Sequence, residues 1–461
     1  MIDLNEFSGK RVHFIGIGGC SMSGLAQILK TNGFHVTGSD LRESAFTEKL
    51  KEQDIPFTIG HDPKNAAGAD LVIYTAAVKS TNPEYAFAEE NGIPMLERSK
   101  LLGILSSGYG RVACISGCHG KTTITSMLAL IMQTADIDCT VHVGGMVDFL
   151  GGGVKLGTSD IFITEACEYV KSFLTLSPKY ILVNNIDDDH LDFYKDIEDI
   201  CQTFAEFVRK LDGGGTLILN AGDPLAMRLA GEVDCRVITY GTEDADWTLS
   251  DISFDEMGSG SAVFIVNGRQ AGKIKLNVPG LHNLQNALAA SLYANEVFGV
   301  SLQACAKALT GYHLAGRRFE LAGERDGVKI FHDYAHHPSE IKACLAAAQL
   351  YPHKKLWAVF QCNSFTRART LRVKYGTSFF DADEVLVPDL YPGRDIDRGD
   401  IHATDLVAEI NKNSGNARYL PSFADIRDYL LEHWQEGDIV VTLGSGDVNK
   451  QQFVILEKLI F

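Results

Sequence analysis

"CISGCHGKTTITSM", residues 114–127, decides the reading of the chain, because it has the parts of a phosphate-binding loop without the usual spacing. A Walker A loop runs G-x-x-x-x-G-K-[ST], whereas here only Cys118 and His119 separate Gly117 from Gly120. The parts still come in working order. A predicted strand, Arg111 to Ser116, leads into the glycine turn, whose backbone N–H groups can face an anion. Lys121 adds a cation, Thr122 places a hydroxyl at the first turn of the helix that follows, and Thr123 continues it. A bare glycine turn before a solvated lysine is the plainer alternative. The succession of strand, loop, GKTT and helix argues against it.

Working outward, apolar runs such as "RVHFIGIGG", "DLVIYTAAV", "DIFITEACE", "YILVNNIDDDH" and "DIVVTLGSGDV" alternate with helical patterns, which predicts parallel sheets covered by helices. Glycine- or acid-rich ends of such strands are where open α/β sheets bind ligands. At 461 residues the chain should fold as about three domains. "SSGYG", 106–110, marks a first boundary, and "LAGRRFELAGER", 314–325, reads as a hinge into a third region. The divisions expected are 1–108, 109–314 and 315–461.

Composition excludes several classes. A net charge of −17 with 42 basic residues argues against a nucleic-acid binder, so anionic ligands must be held by local devices. No apolar run reaches the ~18 residues of a membrane span, and the acidic start "MIDLNEF" is unlike a signal peptide. A cytoplasmic protein that binds neither nucleic acid nor membrane is expected. The ten cysteines are scattered singly without a CxxC pair, as reduced thiols would be.

The first glycine loop, "GIGGCSMSG", runs from Gly16 to Gly24. As a G-x-G-x-x-G fingerprint it has Gly16 and Gly18 but Ser21 in the third place, with Asp40 22 residues after Gly18 where a ribose-binding acid would sit. A nicotinamide oxidoreductase is therefore one alternative. The GKTT loop is hard to reconcile with it. Magnesium beside a phosphate loop takes oxygen ligands, and Glu165, Glu168, Asp187, Asp188 and Asp189, with His190, lie at neighbouring strand ends.

"GKTT", "TEACEYVKSFL", "NNIDDDHLD", "GLHNLQNALAA", "GRRFE", "DYAHHPSEI" and "GSGD" occur in the order seen in Mur ligases, and over essentially its whole length the chain resembles that family. "HFIGIGG…MSGLA" is similar to its alanine-adding branch. The resemblance implies an α/β fold of three domains: a Rossmann-like N-terminal domain for a UDP-sugar, a central P-loop ATPase-type parallel sheet, and a C-terminal Rossmann-like α/β domain that closes over the amino acid. It implies an ATP- and Mg2+-dependent ligase of peptidoglycan precursor synthesis, monomeric or homodimeric. Such an enzyme joins an amino acid, L-alanine by default, to the lactyl carboxylate of UDP-N-acetylmuramate through an acyl phosphate.

By the same resemblance Lys121, Glu165, His190 and Arg367 carry the chemistry, and Thr122, Glu165 and His190 hold magnesium. Gly117 to Thr123, His282, Asn283, Asn286, Arg317, Arg318 and Asp333 would hold ATP. Gly16, Gly18, Gly19, Ser21, Met22, Ser39, Asp40, Tyr334, His336, His337 and Arg367 would hold the other substrates. Asn283 and Asn286 have helix capping and core satisfaction as their ordinary roles. Pro338 is expected at the first position of a helix, which puts His336 and His337 at its cap.

The departures matter too. Where the alanine-adding branch usually reads F-Q-P-H-x-Y-[ST]-R-T, this chain reads "FQCNSFTRA", so Cys362, Asn363, Phe365 and Ala368 replace Pro, His, Tyr and Thr. That strand end is expected to shape the amino-acid pocket, which opens glycine or L-serine as acceptors. Two other readings follow: a recycled-tripeptide ligase acting on the same sugar nucleotide, and a catalytically weak UDP-sugar- and ATP-binding paralogue. Cys118 replaces a threonine. Beside Lys121 and a helix N-terminus it is expected to be reactive, with an inert buried thiol as the alternative.

Overall fold

Apolar runs of four to six residues become buried parallel strands when helices cover both faces of a sheet, and such runs set the architecture here. The structure, a computed structural model, describes residues 2–314, 316–393 and 395–457. It separates into two compact units, Met1–Ile186 with Cys201–Asp246 and Ala289–Cys305, and Asp187–Ile200 with Trp247–Leu288 and Ala306–Phe461.

The first unit contains β1 (Arg11–Ile15), β2 (His35–Asp40), β3 (Phe57–Ile59), β4 (Leu71–Tyr74) and β5 (Met95–Glu97), ordered β3-β2-β1-β4-β5 and parallel throughout. The order reverses between β1 and β4, so the loop leaving β1 stands where doubly wound sheets bind ligands. That loop is the first glycine loop.

The same unit holds β6 (Arg111–Ser116), β7 (Thr140–Val147), β8 (Gly152–Lys155), β9 (Ile161–Glu165), β10 (Tyr180–Val183), β11 (Thr216–Asn220) and β12 (Arg236–Tyr240). They run β12-β11-β10-β6-β9-β7-β8, parallel except for the hairpin β7–β8. β6 thus lies between β10 and β9, which brings the phosphate loop, "ITE" and "VNN" to one edge. The helix Lys121–Thr134 buries Ile124, Met127, Leu128, Ile131 and Met132, all 0% exposed. Their spacing is that of one helix face, and each side chain contributes about 1.5–3 kcal/mol by leaving water. This packing holds the N-terminus of the helix against the loop.

In the second unit β13 (Trp247–Phe254), β14 (Ser259–Val266) and β15 (Arg269–Pro279) form an antiparallel meander. The sequence reading has no strands there, because these segments are largely polar on one face. β16 (Glu320–Arg325), β17 (Val328–Asp333), β18 (Leu356–Phe360), β19 (Glu384–Val387), β20 (Ala417–Tyr419) and β21 (Ile439–Leu443) form a sheet ordered β16-β17-β21-β18-β19-β20, parallel except for the hairpin β16–β17. Alternate residues feed two cores: Phe331, Ala358, Phe360 and Val441 one, Ile330, Trp357, Val359 and Val440 the other. Ala315, where the third sequence division begins, lies outside the described residues.

The α/β class with parallel-rich sheets is the fold the sequence predicts. Among the described residues no helix is long and apolar enough to cross a membrane. All ten cysteines are thiols outside any disulfide, seven of them buried.

Candidate active site

The shortened loop is held by the end of β10. Gly117 has φ 125°, and a Cβ there would lie 2.9 Å from Asn185 N, so only glycine lets the two segments approach this closely. Cys118 N donates to Asn185 O (3.1 Å) and His119 N to Asn185 Oδ1 (2.7 Å). The amides of Asn184 and Asn185 donate to His119 O, while Tyr240 donates its hydroxyl to Asn184 Oδ1. Gly120, at φ 84°, then caps the helix. Two asparagines therefore hold the two-residue spacer in place.

Lys121 Nζ donates to Gly117 O (2.5 Å), Cys118 O (3.2 Å) and both oxygens of Glu168 (3.0 and 2.9 Å). Burial works to lower its pKa, but the Glu168 carboxylate outweighs it and raises the pKa above that of an ordinary lysine. The pairing thus favours the charged form. The loop carbonyls are the partners a phosphate would replace.

Glu165 Oε1 accepts from Gly144 N (2.6 Å). A Cβ at Gly144 would lie 2.7 Å from Glu165 Oε2, and one at Gly145 would lie 3.1 Å from Thr122 Cγ2. The Gly144–Gly145 backbone therefore comes up against both side chains. A hydroxyl and a carboxylate are hard oxygen donors, the kind that magnesium takes.

In the first glycine loop Gly16 N and Ile17 N donate to Ser39 O, and Gly18 N donates to Asp40 Oδ2 (2.9 Å). Asp40 Oδ1 accepts from Leu41 N, so this carboxylate shapes the loop itself. Gly19 caps the helix Cys20–Thr31. Ser21 Oγ lies 2.9 Å from His142 Nε2 and accepts from Arg98 Nη1. Two expected substrate contacts turn inward instead. Met22 is 2% exposed, and the Ser39 hydroxyl is fully buried, donating to Glu84 Oε2 (2.5 Å). Burial raises the pKa of Glu84, but bonds from His13, Ser39 and Asn65 outweigh it and hold the group at about 2.

In the second unit His190 has φ 57°, and its N–H donates to Asp189 Oδ1 (2.7 Å). Asp189 is 5% exposed and pairs with Arg367 Nη2 (3.0 Å), while Arg367 Nη1 donates to Asn363 O (3.1 Å). Burial opposes the charge on Asp189, but His190 and Arg367 hold its pKa well below the usual carboxylate range. His336 Nε2 lies 3.9 Å from Asp189 Oδ2, and burial pushes the pKa of His336 down to about 4. Pro338 is the first residue of the helix Pro338–Ala348, and His337, fully buried, is its cap. His337 Nδ1 accepts from Ser339 N, and Glu340 Oε2 accepts from the N–H groups of His336 and His337.

The guanidinium groups of Arg317 and Arg318 lie 4.7 and 5.4 Å from the Tyr334 ring centroid. Asp333 accepts from Phe319 N (2.8 Å) and Ala335 N (2.7 Å), so each of its oxygens already orders backbone. On the helix Leu281–Phe298, Asn283 is 2% exposed and donates to Pro279 O (2.7 Å), and Asn286 is buried. Burial, then Arg318, lower the pKa of the neighbouring His282 to about 4.

Of the four departures, Cys362, Phe365 and Ala368 lie in the core with Tyr375. Only Asn363 is partly exposed, its amide donating to Ser445 Oγ (2.8 Å). The sequence reading missed Asn184 and Asn185 as loop holders, Asp189 as the partner of Arg367, and Glu340 in the cap. The pattern H-P-S-E, a cap residue followed three positions later by glutamate, signals the last.

Comparison with known proteins agrees across the chain. Residues 115–294 match the Mur ligase middle domain, 11–109 the Mur ligase family catalytic domain, and 317–446 the Mur ligase glutamate ligase domain. The UDP-N-acetylmuramate–L-alanine ligase of Acetivibrio thermocellus is 44% identical over 98% of this chain and 96% of its own. That of Clostridium acetobutylicum is 43% identical over 99% of both. Among solved structures, the UDP-N-acetylmuramate–alanine ligase of Thermotoga maritima superposes with a TM-score of 0.80 at 26% identity, over 97% of this chain and 98% of that one. A murein peptide ligase from Psychrobacter arcticus gives 0.75 at 25%, over 98% and 100%.

Proposed function

The chain belongs to the Mur ligase family, and on that premise we propose that it is an ATP-dependent ligase joining L-alanine to the lactyl carboxylate of UDP-N-acetylmuramate in peptidoglycan precursor synthesis. The observation that carries this reading is the loop Gly117–Thr123, with Lys121 paired to the buried Glu168 and Thr122 sharing the Gly144–Gly145 backbone with Glu165.

A carboxylate does not react with an amine in neutral water, so the γ-phosphoryl group of ATP first converts it to an acyl phosphate. The amine then attacks, and the tetrahedral intermediate expels phosphate to leave the amide. Phosphoryl transfer calls mostly for positioning and charge neutralisation. Lys121 supplies a fixed cation. Magnesium, when held by Thr122 and Glu165, neutralises phosphate charge; His190 is the residue we assign to a second ion. We assign Asn283 and Asn286 to the adenine end, Arg317, Arg318 and Asp333 to the rest of ATP, and the loop Gly16–Ser21 with Asp40 to the UDP-sugar. Arg367 would exchange Asp189 for the carboxylate of the amino acid, as a guanidinium can. We keep the divisions at 108/109 and 314/315 as the working domain boundaries. With ATP and a UDP-linked sugar as substrates, we assign the reaction to the cytoplasm.

The likeness to a murein peptide ligase favours one second reading, in which a peptide replaces the amino acid. The test is phosphate release from ATP with magnesium and UDP-N-acetylmuramate, offering L-alanine, glycine, L-serine or tripeptide, with product mass measured. Release with L-alanine that Lys121→Ala cuts about a hundredfold or more is the expected result. Release only with tripeptide establishes the second reading. No release with any acceptor refutes both.

A further inference from the structure

His142 stands on β7 between the first glycine loop and the end of β9, and is 3% exposed. Its Nε2 lies 2.9 Å from Ser21 Oγ, and its Nδ1 lies 3.2 Å from Thr164 Oγ1. The neighbours are consistent with one tautomer of the ring. With the Thr164 hydroxyl donating its one hydrogen to Glu165 O (3.1 Å), Nδ1–H is the group that donates to Thr164. Nε2 is then the acceptor and the Ser21 hydroxyl the donor, while Ser21 Oγ accepts from Arg98 Nη1 (3.1 Å). Every bond points the same way: Arg98 N–H to Ser21, Ser21 O–H to His142, His142 N–H to Thr164, Thr164 O–H to the carbonyl of Glu165. Aligned bonds of this kind polarise one another in a buried setting.

Packing makes the link rigid. A Cβ at Gly24 would lie 3.4 Å from Val154 Cβ and 3.5 Å from His142 Cδ2, so the helix Cys20–Thr31 lies flush on the hairpin β7–β8. Two residues beyond His142, Gly144 N donates to the Glu165 carboxylate. The strand bearing His142 therefore grips Glu165 from its backbone side and from its side-chain side. Ser21, which replaces a fingerprint glycine, is the group that connects this strand to the loop.

We propose that His142 is a positioning residue that ties the glycine loop at Ser21 to the strand end at Glu165, keeping the sugar-nucleotide and phosphate sites in register. This rests on the reading that the loop Gly16–Gly24 takes the UDP-sugar. It adds a residue pair, Ser21 and His142, whose effect on substrate is exerted together.

The test is calorimetric binding of UDP-N-acetylmuramate, with the KM for that substrate, on the full chain carrying Ser21→Ala, His142→Val, both changes, His142→Gln or His142→Asn. Each of the first two should weaken binding about three- to tenfold, the size of one neutral hydrogen bond, and the double variant no further than the worse single. Glutamine can place its amide where Nε2 stood and should restore affinity, whereas asparagine, which reaches only Thr164, should not. Additive losses overturn the proposal. So does unchanged affinity and KM with only a lower unfolding temperature, the mark of a structural bond. If His142→Val does not fold, Ser21→Ala and the glutamine–asparagine contrast decide alone. A wild-type protein that neither binds the sugar nucleotide nor turns it over refutes the functional reading and the proposal with it. Wild-type binding matched by all variants refutes the proposal alone.

Discussion

Lys121 and Glu168 form a largely buried ion pair on the phosphate loop, with Nζ 2.9 Å from Oε2, the Lys121 side chain 14% exposed and Glu168 1%. The pair explains how a lysine can be kept charged in a loop that desolvates it. It also separates two roles that one substitution would confuse. Lys121→Ala removes the cation that meets the phosphate and should cut turnover by about two to three orders of magnitude, as for a lost electrostatic donor. Glu168→Gln leaves the cation buried without its counter-charge and should cost about 3–5 kcal/mol of stability. Saturating ATP should recover part of that loss, since phosphate supplies the missing negative charge. Chemical denaturation with and without ATP checks it. Equal stability of wild type and Glu168→Gln would show that the pair does not hold the loop.

Arg367 spans two partners, Asp189 with Nη2 and Asn363 O with Nη1. A lysine keeps the charge but not the fork. Arg367→Lys should therefore raise the KM for the amino acid about tenfold or more while leaving ATP affinity within about twofold. Steady-state kinetics with each substrate varied in turn decides it. A rise in the KM for ATP instead would move Arg367 to the nucleotide end.

Cys118 is 8% exposed and sits in the loop whose N–H group donates to Asn185 O. Alkylation requires the loop to open, so iodoacetamide should label Cys118 slowly, and ATP, by holding the loop, should slow it further. Peptide mass mapping at timed intervals reads the rate. Labelling at the same rate with and without ATP would place the nucleotide elsewhere.

Much of the fold is legible because buried parallel strands are apolar along their whole length. "RVACIS" and "IVVTL" need no context to be read as β6 and β21. The meander 247–279 was not legible, since "RQAGKIKLNVP" alternates around charged residues and its strands depend on one another. The site divides similarly. Lys121 and Thr122 follow from the GKTT spacing, but the roles of Asn184 and Asn185 depend on β10 lying beside β6, which no local pattern states. Ser39 sits at a strand end as a ligand contact would, yet its hydroxyl is claimed by Glu84, 45 residues away in sequence. The replacements at Cys362, Phe365 and Ala368 look like pocket changes in a motif and are core changes in the fold.

That distinction is testable at Ala368, which is fully buried. Ala368→Thr restores the residue usual in the alanine-adding branch, but it inserts volume and a hydroxyl into a packed core and should destabilise by about 1–3 kcal/mol. The ranking of L-alanine, glycine and L-serine should not change. A changed ranking with unchanged stability would return Ala368 to the pocket.

The last prediction concerns acid. His332 is 1% exposed and donates or accepts at Thr442 Oγ1 (2.9 Å); burial first, then Arg317, push its pKa down to about 4 from the ordinary 6.5. Burial does the same to His142 and His336. As pH falls through 6.5, the unfolded chain takes up protons at these positions and the folded chain does not until about 4. Stability from these groups is therefore complete above 6.5 and is lost progressively between 6.5 and 4, at up to about 1.4 kcal/mol per pH unit for each histidine. Glu84 has the opposite charge and the same direction of loss. Its folded value of about 2 lies below the ordinary 4.5, so its contribution is present above 4.5 and disappears between 4.5 and 2. Urea midpoints measured at pH 7, 6 and 5 should fall steadily. His332→Asn, whose amide can replace Nδ1 toward Thr442, should make that fall shallower by one proton's share. An unchanged slope in the variant would mean that His332 protonates equally in both states and that its burial has no energetic consequence.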